Sequence, residues 1–206
     1  CTYGYLIPSN MFAVIVLGYL EEIEKIVYHS EQMQTEAACL RQQIEEGIGR
    51  YGIVETEDYG KIYAYEVDGF GQYNLMDDAS IPSLLSLPYL GYRGDAEVIR
   101  NTRRFILSEA NPYYYRGKFS CGIGSPHTPV RHVWQLALIM QGMTSADERE
   151  REDILRMLSE TDAGTGLMHE SMHVDDPSRY TREWFSWANA LFYEWILDIC
   201  GYKIIR

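Results

Sequence analysis

A chain of 206 residues is long enough to form one domain with a substantial core. The apolar fraction of 46% is that of a globular protein, and no apolar run reaches bilayer-spanning length. A net charge of −12 argues against nucleic acid, whose binding needs a basic surface, and against an anionic membrane; neutral ligands such as sugars fit better.

Pro8-Ser9-Asn10 opens a helical pattern that runs to about Ser30, apolar at Met11, Val14, Leu17, Leu20, Ile23 and Val27. A second helix is expected from Glu31 to Gly49, with the glycines at 47, 49 and 52 marking its end. The period then changes. Ile53–Thr56 and Lys61–Tyr65 flank Asp58-Tyr59-Gly60, which predicts a β-hairpin. Helices are expected again over Ile81–Leu87, Asp95–Ser108, Val130–Gln141, Ala146–Glu160 and Glu183–Ile199. The Thr144–Asp147 stretch supplies capping residues for the fourth of these. Long loops bearing unusual polar residues occupy alternate joints. That rhythm suits helical hairpins arranged as an α/α toroid, with a helical bundle as the alternative; seven helices make about half of a six-hairpin ring. No repeat of 30–45 residues is visible, so a regular solenoid is disfavoured. Four scattered cysteines without C-x-x-C pairing read as buried free thiols in a reducing, cytoplasmic setting.

Three loops concentrate the chemistry. In the first, Glu66–Ser80, the adjacent Asp77 and Asp78 either mark a helix start, with Asp78 or Ser80 capping Ile81 onward, or face a cleft and accept hydrogen bonds from sugar hydroxyls. In the second, Gly122–Pro129, two glycines and two prolines fix a loop around His127, with Arg116, Lys118 and the Tyr113–Tyr115 run upstream. A lone loop histidine is often only a structural hydrogen-bonder; the cationic and aromatic neighbours favour substrate contact. Its spacing matches no phosphate-binding loop.

The third, Gly164–Asn189, gathers a His-Glu pair, Asp175-Asp176 and three aromatics, Trp184, Phe185 and Trp187. His169-Glu170-Ser171-Met172-His173 also matches the H-E-x-x-H pattern of zinc peptidases. That chemistry needs both histidines one turn apart on a helix, with the glutamate polarising a metal-bound water. Glycines just before the pattern and Asp-Asp-Pro just after leave little room for such a helix. A glycosidase needs only that Glu170 be a positioned carboxylate. An inverting enzyme pairs a carboxylic acid at the leaving oxygen with a carboxylate that activates water, the two about 6.5–9.5 Å apart. His169 or Tyr180 would orient such a base, and the tryptophans would offer faces to a pyranose ring; their spacing is equally that of a helix-packing stripe.

Four blocks together resemble glycoside hydrolase family 125, the exo-α-1,6-mannosidases: TYGYLIPSNMFA at 2–13, EVDGFGQYNLMDDASIPSLLSLPYLGY at 66–92, GIGSPHTP at 122–129, and GTGLMHES…DDP…REWFSWANALF at 164–192. They lie in order across nearly the whole chain. The resemblance implies an all-α (α/α)6 barrel, here an incomplete half with a small β-hairpin insertion. It also implies metal-independent hydrolysis, with inversion, of terminal non-reducing α-1,6-linked mannose. No cofactor and no metal are expected; the expected partner is a mannose-containing oligosaccharide, with the oligomeric state open. The family's general base falls on Glu170; its preference over Asp175 rests on the resemblance. The family's general acid, an aspartate just before the Leu-Ile-Pro-Ser-Asn block, would lie ahead of Cys1. Residues 1–206 thus read as a single domain, the C-terminal part of a catalytic barrel whose N-terminal part is missing, and the isolated piece is expected to lack turnover and to expose an apolar edge. Asp77, Asp78, His127, Arg116 and Trp184 are the expected substrate-binding residues. The alternatives are a non-catalytic carbohydrate-binding helical toroid and the zinc peptidase.

Overall fold

Proline at the second position of the first long helix sets its start. Pro8 has no N–H to leave unsatisfied in the opening turn, and its fixed φ suits a helix entrance. In the computed structural model, which describes residues 1–202, strand β1 (Tyr5–Leu6) runs directly into this helix, α1 (Ile7–Ile23). The chain forms two compact units, residues 1–76 with 82–105, and residues 77–81 with those from 106 onward.

In the first unit α1 continues into a π-helical turn, Glu24–Tyr28, that ends at His29 in the left-handed region, φ 55°. The Ser30 hydroxyl accepts from Met33 N–H and so starts α2 (Glu31–Tyr51). The two helices pack on each other, and Arg41 of α2 grips Glu21 of α1 through Nε at 2.5 Å and Nη2 at 3.3 Å. The predicted hairpin forms as β2 (Ile53–Thr56) and β3 (Gly60–Tyr63), with Ile53 opposite Tyr63. Strands β4 (Glu66–Val67) and β5 (Tyr73–Asn74) join β1 in a small sheet of order β1-β4-β5. The buried Glu66 carboxylate secures the chain start by accepting from the N–H groups of Thr2, at 2.9 Å, and Tyr3.

Short α3 (Leu87–Leu90) and amphipathic α4 (Ala96–Ile106) complete this unit. The helix expected over 81–87 does not form. Ser83 and Ser86 hydrogen-bond each other's backbone N–H groups at 3.2 and 2.8 Å, closing a tight turn in place of a helical ladder. On α1, Phe12, Val16, Tyr19 and Ile23 stay exposed in three- and four-residue steps, so this helix carries an open apolar face.

In the second unit, β6 (Tyr114–Arg116) and β7 (Cys121–Ile123) form a hairpin. A three-stranded sheet of order β10-β9-β8 is built from β8 (His132–Val133), β9 (Ser171–His173) and β10 (Asp176–Thr181). Four small sheets therefore accompany the helices among the described residues, more β-structure than the single hairpin anticipated. Pieces two or three residues long have no period to read. Helix α5 (Gln135–Met143) is apolar on all sides and buried through Leu136–Met140; it packs on α6 (Glu148–Glu160) and α7 (Ser186–Ile199). It starts five residues later than Val130, because Arg131, at φ 62°, turns the chain and His132–Val133 pair as strand. Gly142 of α5 is where Trp195 of α7 inserts: a Cβ there would overlap the indole. The Asp147 carboxylate accepts from Arg149 N–H at 2.9 Å and caps α6. Asp147→Ala is expected to cost about 1 kcal/mol, read as a lowered urea midpoint at unchanged m-value.

Chain order gives the helices a further regularity. Long joins precede α3, α5 and α7, all predominantly apolar, whereas short ones precede α2, α4 and α6, whose sequences carry many charges. Each chemistry-bearing loop thus runs into an apolar helix. The cysteines depart from the expected burial: Cys1, Cys39 and Cys200 are exposed and Cys121 is part-exposed, all as free thiols.

Candidate active site

The second unit brings three motif-bearing segments together. Asn111, fully buried, ties the first of them down: its Oδ1 accepts from Asp77 N–H at 3.3 Å and Tyr113 N–H at 3.1 Å, and its Nδ2 donates to Ile106 O. Ala79 N–H donates to Gly124 O at 3.1 Å, which sets Asp77-Asp78 beside the Gly122–Pro129 loop. Asp77 is wholly buried and Asp78 nearly so. Since no helix begins at Ile81, neither acts as the helix cap the sequence allowed; Asp78 Oδ1 closes a local turn by accepting from Ser80 N–H.

Gly124 sits where its Cβ would overlap the His132 carbonyl oxygen, so only glycine lets the loop lie this close to β8. Ser125 Oγ accepts from His127 N–H, which leaves the His127 side chain exposed on the turn. Arg116 is also exposed; its guanidinium lies over the Tyr114 ring at 5.9 Å, with Nη2 3.4 Å from Tyr114 Oη.

Two residues at the start of α5 link this loop to the third segment. Trp134 Nε1 donates to Thr128 Oγ1 at 2.9 Å, and its ring meets Phe185 edge-on at 5.9 Å. Gln135 Oε1 accepts from His169 N–H, and its Nε2 donates to Thr161 O. Asn189 of α7 clamps the other side: Nδ2 donates to Met168 O and Phe185 O while Oδ1 accepts from Met168 N–H. Asp162 shapes the loop ahead of them, its carboxylate accepting from Gly164 and Gly166 N–H at 2.9 and 3.0 Å.

His169 is fully buried in this frame. Its Nδ1 lies 2.5 Å from Glu183 O and its Nε2 3.1 Å from Asp162 O; its ring stacks on Tyr180 at 4.0 Å, 8° from parallel. His173 lies at the end of β9 and faces His132 edge-on at 5.3 Å. The helix that the H-E-x-x-H pattern requires is absent. Extended backbone would separate residues four apart by about 13 Å, and both His169 nitrogens are engaged elsewhere, so the zinc-peptidase arrangement is not formed.

Glu170 stands out against these neighbours. His169 and Ser171 on either side are completely buried, yet its own side chain keeps 13% exposure. Its N–H donates to Thr181 O, its Oε2 accepts from Thr181 Oγ1 at 3.0 Å, and its Oε1 pairs with Arg182 Nε at 3.3 Å. The groups expected to orient it, His169 and Tyr180, instead stack on each other. Asp175, the rival carboxylate, is occupied: the Arg131 guanidinium, together with Lys118 N–H at 2.9 Å, holds its carboxyl below the usual range. Trp184 projects 66% exposed just ahead of α7, and Trp187 is similarly open, whereas Phe185 between them is buried. The result is a carboxylate with limited exposure on a fixed backbone, in a segment that also carries the exposed indoles of Trp184 and Trp187. Such a group can accept a proton from a water beside a bound sugar.

The family described as metal-independent α-mannosidase (GH125) matches residues 1–197, and the chain belongs to it. Among individual proteins, it is 48% identical over 205 residues to the meiotically up-regulated gene 157 protein of Schizosaccharomyces pombe, covering 98% of this chain and 40% of that one. It is also similar to a Streptococcus pneumoniae protein from work on metal-independent α-mannosidases, solved in a non-productive substrate complex with α-1,6-mannobiose. There the identity is 50% and the TM-score 0.95, over 98% of this chain and 48% of that one. The chain thus spans about half the length of these relatives, or less.

Proposed function

We propose that this chain is the base-bearing part of an inverting exo-α-1,6-mannosidase that works without metal. The observation that carries the reading is Glu170: the resemblance makes this position the general base, and here it is the carboxylate of limited exposure described above, in a chain 50% identical to a protein that holds α-1,6-mannobiose. In the reaction Glu170 takes a proton from water as the water oxygen attacks the anomeric carbon. The bond from that carbon to O6 breaks, and the leaving oxygen receives a proton from a general acid. By the resemblance, that acid is an aspartate just before the position of the Leu6–Asn10 block. Asp78, His127, Arg116 and Trp184 contribute to holding the sugar, with the indole of Trp184 against a pyranose face, while Asp77, wholly buried, supports the loop from within. The alternation of apolar α1, α3, α5 and α7 with polar α2, α4 and α6 supports an (α/α)6 barrel in the longer protein, apolar helices forming the inner row and polar ones the outer.

The test uses the full-length protein that carries this chain, with α-1,6-mannobiose and EDTA, followed by proton NMR. The expected result is β-mannose as the first-formed anomer. Early α-mannose would overturn inversion. No hydrolysis by folded protein that still binds the disaccharide would favour a carbohydrate-binding role.

A further inference from the structure

We infer that the hydroxyls of Ser171 and Thr181 form a two-step hydrogen-bond chain that fixes the orientation of the Glu170 carboxylate, making Thr181 a positioning residue. The inference rests on the reading of Glu170 as general base.

Pairing of β9 with β10 sets Thr181 opposite Ser171, and Glu170 N–H donates to Thr181 O, so backbone register holds the three residues together. Thr181 Oγ1 lies 3.0 Å from Glu170 Oε2 and 2.7 Å from Ser171 Oγ. A threonine hydroxyl has one proton. An ionised carboxylate can only accept, so that proton goes to Glu170, and Ser171 must then donate to Thr181. Ser171 is completely buried, which shields its hydroxyl from competing water. The order is Ser171 to Thr181 to Glu170, each hydroxyl orienting the next.

The chain occupies Oε2. On the other side Arg182 pairs with Oε1, and it does so from the left-handed region, φ 47°, where a side chain other than glycine's is strained. The strained turn lets one β10 edge supply two consecutive contacts to the carboxylate, while the Arg182 guanidinium lies 5.7 Å from the Phe185 ring. With its torsion held from both sides, Glu170 presents one fixed direction to water.

The experiment compares initial rates on α-1,6-mannobiose for the full-length protein and its Thr181→Val, Thr181→Ser, Ser171→Ala and Glu170→Gln variants. Valine keeps the shape and strand preference of threonine and removes only the hydroxyl. Thr181→Val is expected to lower kcat roughly 10–100-fold, the range for one hydrogen bond to a charged group, with KM unchanged. Thr181→Ser should restore most of the rate. Ser171→Ala should lower kcat in the same direction by less, and it decides the matter should Thr181→Val fold poorly. Wild-type kcat in Thr181→Val, or equal losses in the valine and serine variants, would overturn the inference. An inactive Glu170→Gln assigns such a failure to the hydroxyl chain alone; an active one would remove the base assignment itself.

Discussion

On the proposed function, Glu170→Gln in the full-length protein is expected to lower kcat on α-1,6-mannobiose by on the order of 10²–10⁴ while leaving mannoside affinity intact. Glutamine has nearly the same shape, and its amide oxygen can still accept from Thr181; its amide nitrogen then faces Arg182, whose exposed guanidinium gives up the pair with Oε1 to solvent. It cannot take a proton from water, and the loss of a positioned general base is felt at that scale. Initial rates together with calorimetric titration of the disaccharide separate the two effects. Activity within tenfold of wild type would reject Glu170 and direct attention to Asp175. The structure gives Asp175 a different occupation: its carboxylate is engaged by Arg131 and by Lys118 N–H.

The largest stability effect is expected at the α5–α7 contact. Trp195 is completely buried with its indole across Gly142, and Trp195→Ala should cost about 3–5 kcal/mol from lost burial and the cavity left behind. The reverse change tests the same fit. Gly142→Ala would gain about 1 kcal/mol of helix propensity on an exposed surface. Here the new methyl overlaps a completely buried indole, and overpacking of about 1–3 kcal/mol should win. Urea midpoints for both variants decide it: a raised midpoint in Gly142→Ala would mean that the contact is loose.

The helices with strong local signals were legible: Pro8 opening α1 and Asp147, in the Thr144–Asp147 stretch, capping α6 mark boundaries through their own chemistry, whereas Ser30, read only as the end of the first helical pattern, is the cap of α2. The β2–β3 hairpin was legible for the same reason. The stretch at 81–87 misled because Ile81, Leu84, Leu85 and Leu87 have helical spacing; the spacing reflects burial in a turn whose serines satisfy its backbone. Strand β9 was hidden by its three-residue length. At the candidate site the resemblance supplied Glu170, but Thr181 and Arg182 were not found. Thr181 reaches Glu170 only through strand register, and the φ of Arg182 leaves no trace in composition. Asp162 had a visible signal, since an aspartate two and four residues ahead of glycines is poised to close turns. Gln135 and Asn189 carried none, lying inside otherwise apolar helices.

The alternation of long and short joins divides the chain's mutational landscape. Changes at exposed positions of the loops before α3, α5 and α7 alter what surrounds Glu170 or the Asp77-Asp78 pair, while changes within α5 and α7, or at the loop residues those helices hold, disturb the scaffold first. On the proposed function, selectivity for different sugars can therefore drift in a few bounded stretches of sequence, at little cost to the capacity to fold.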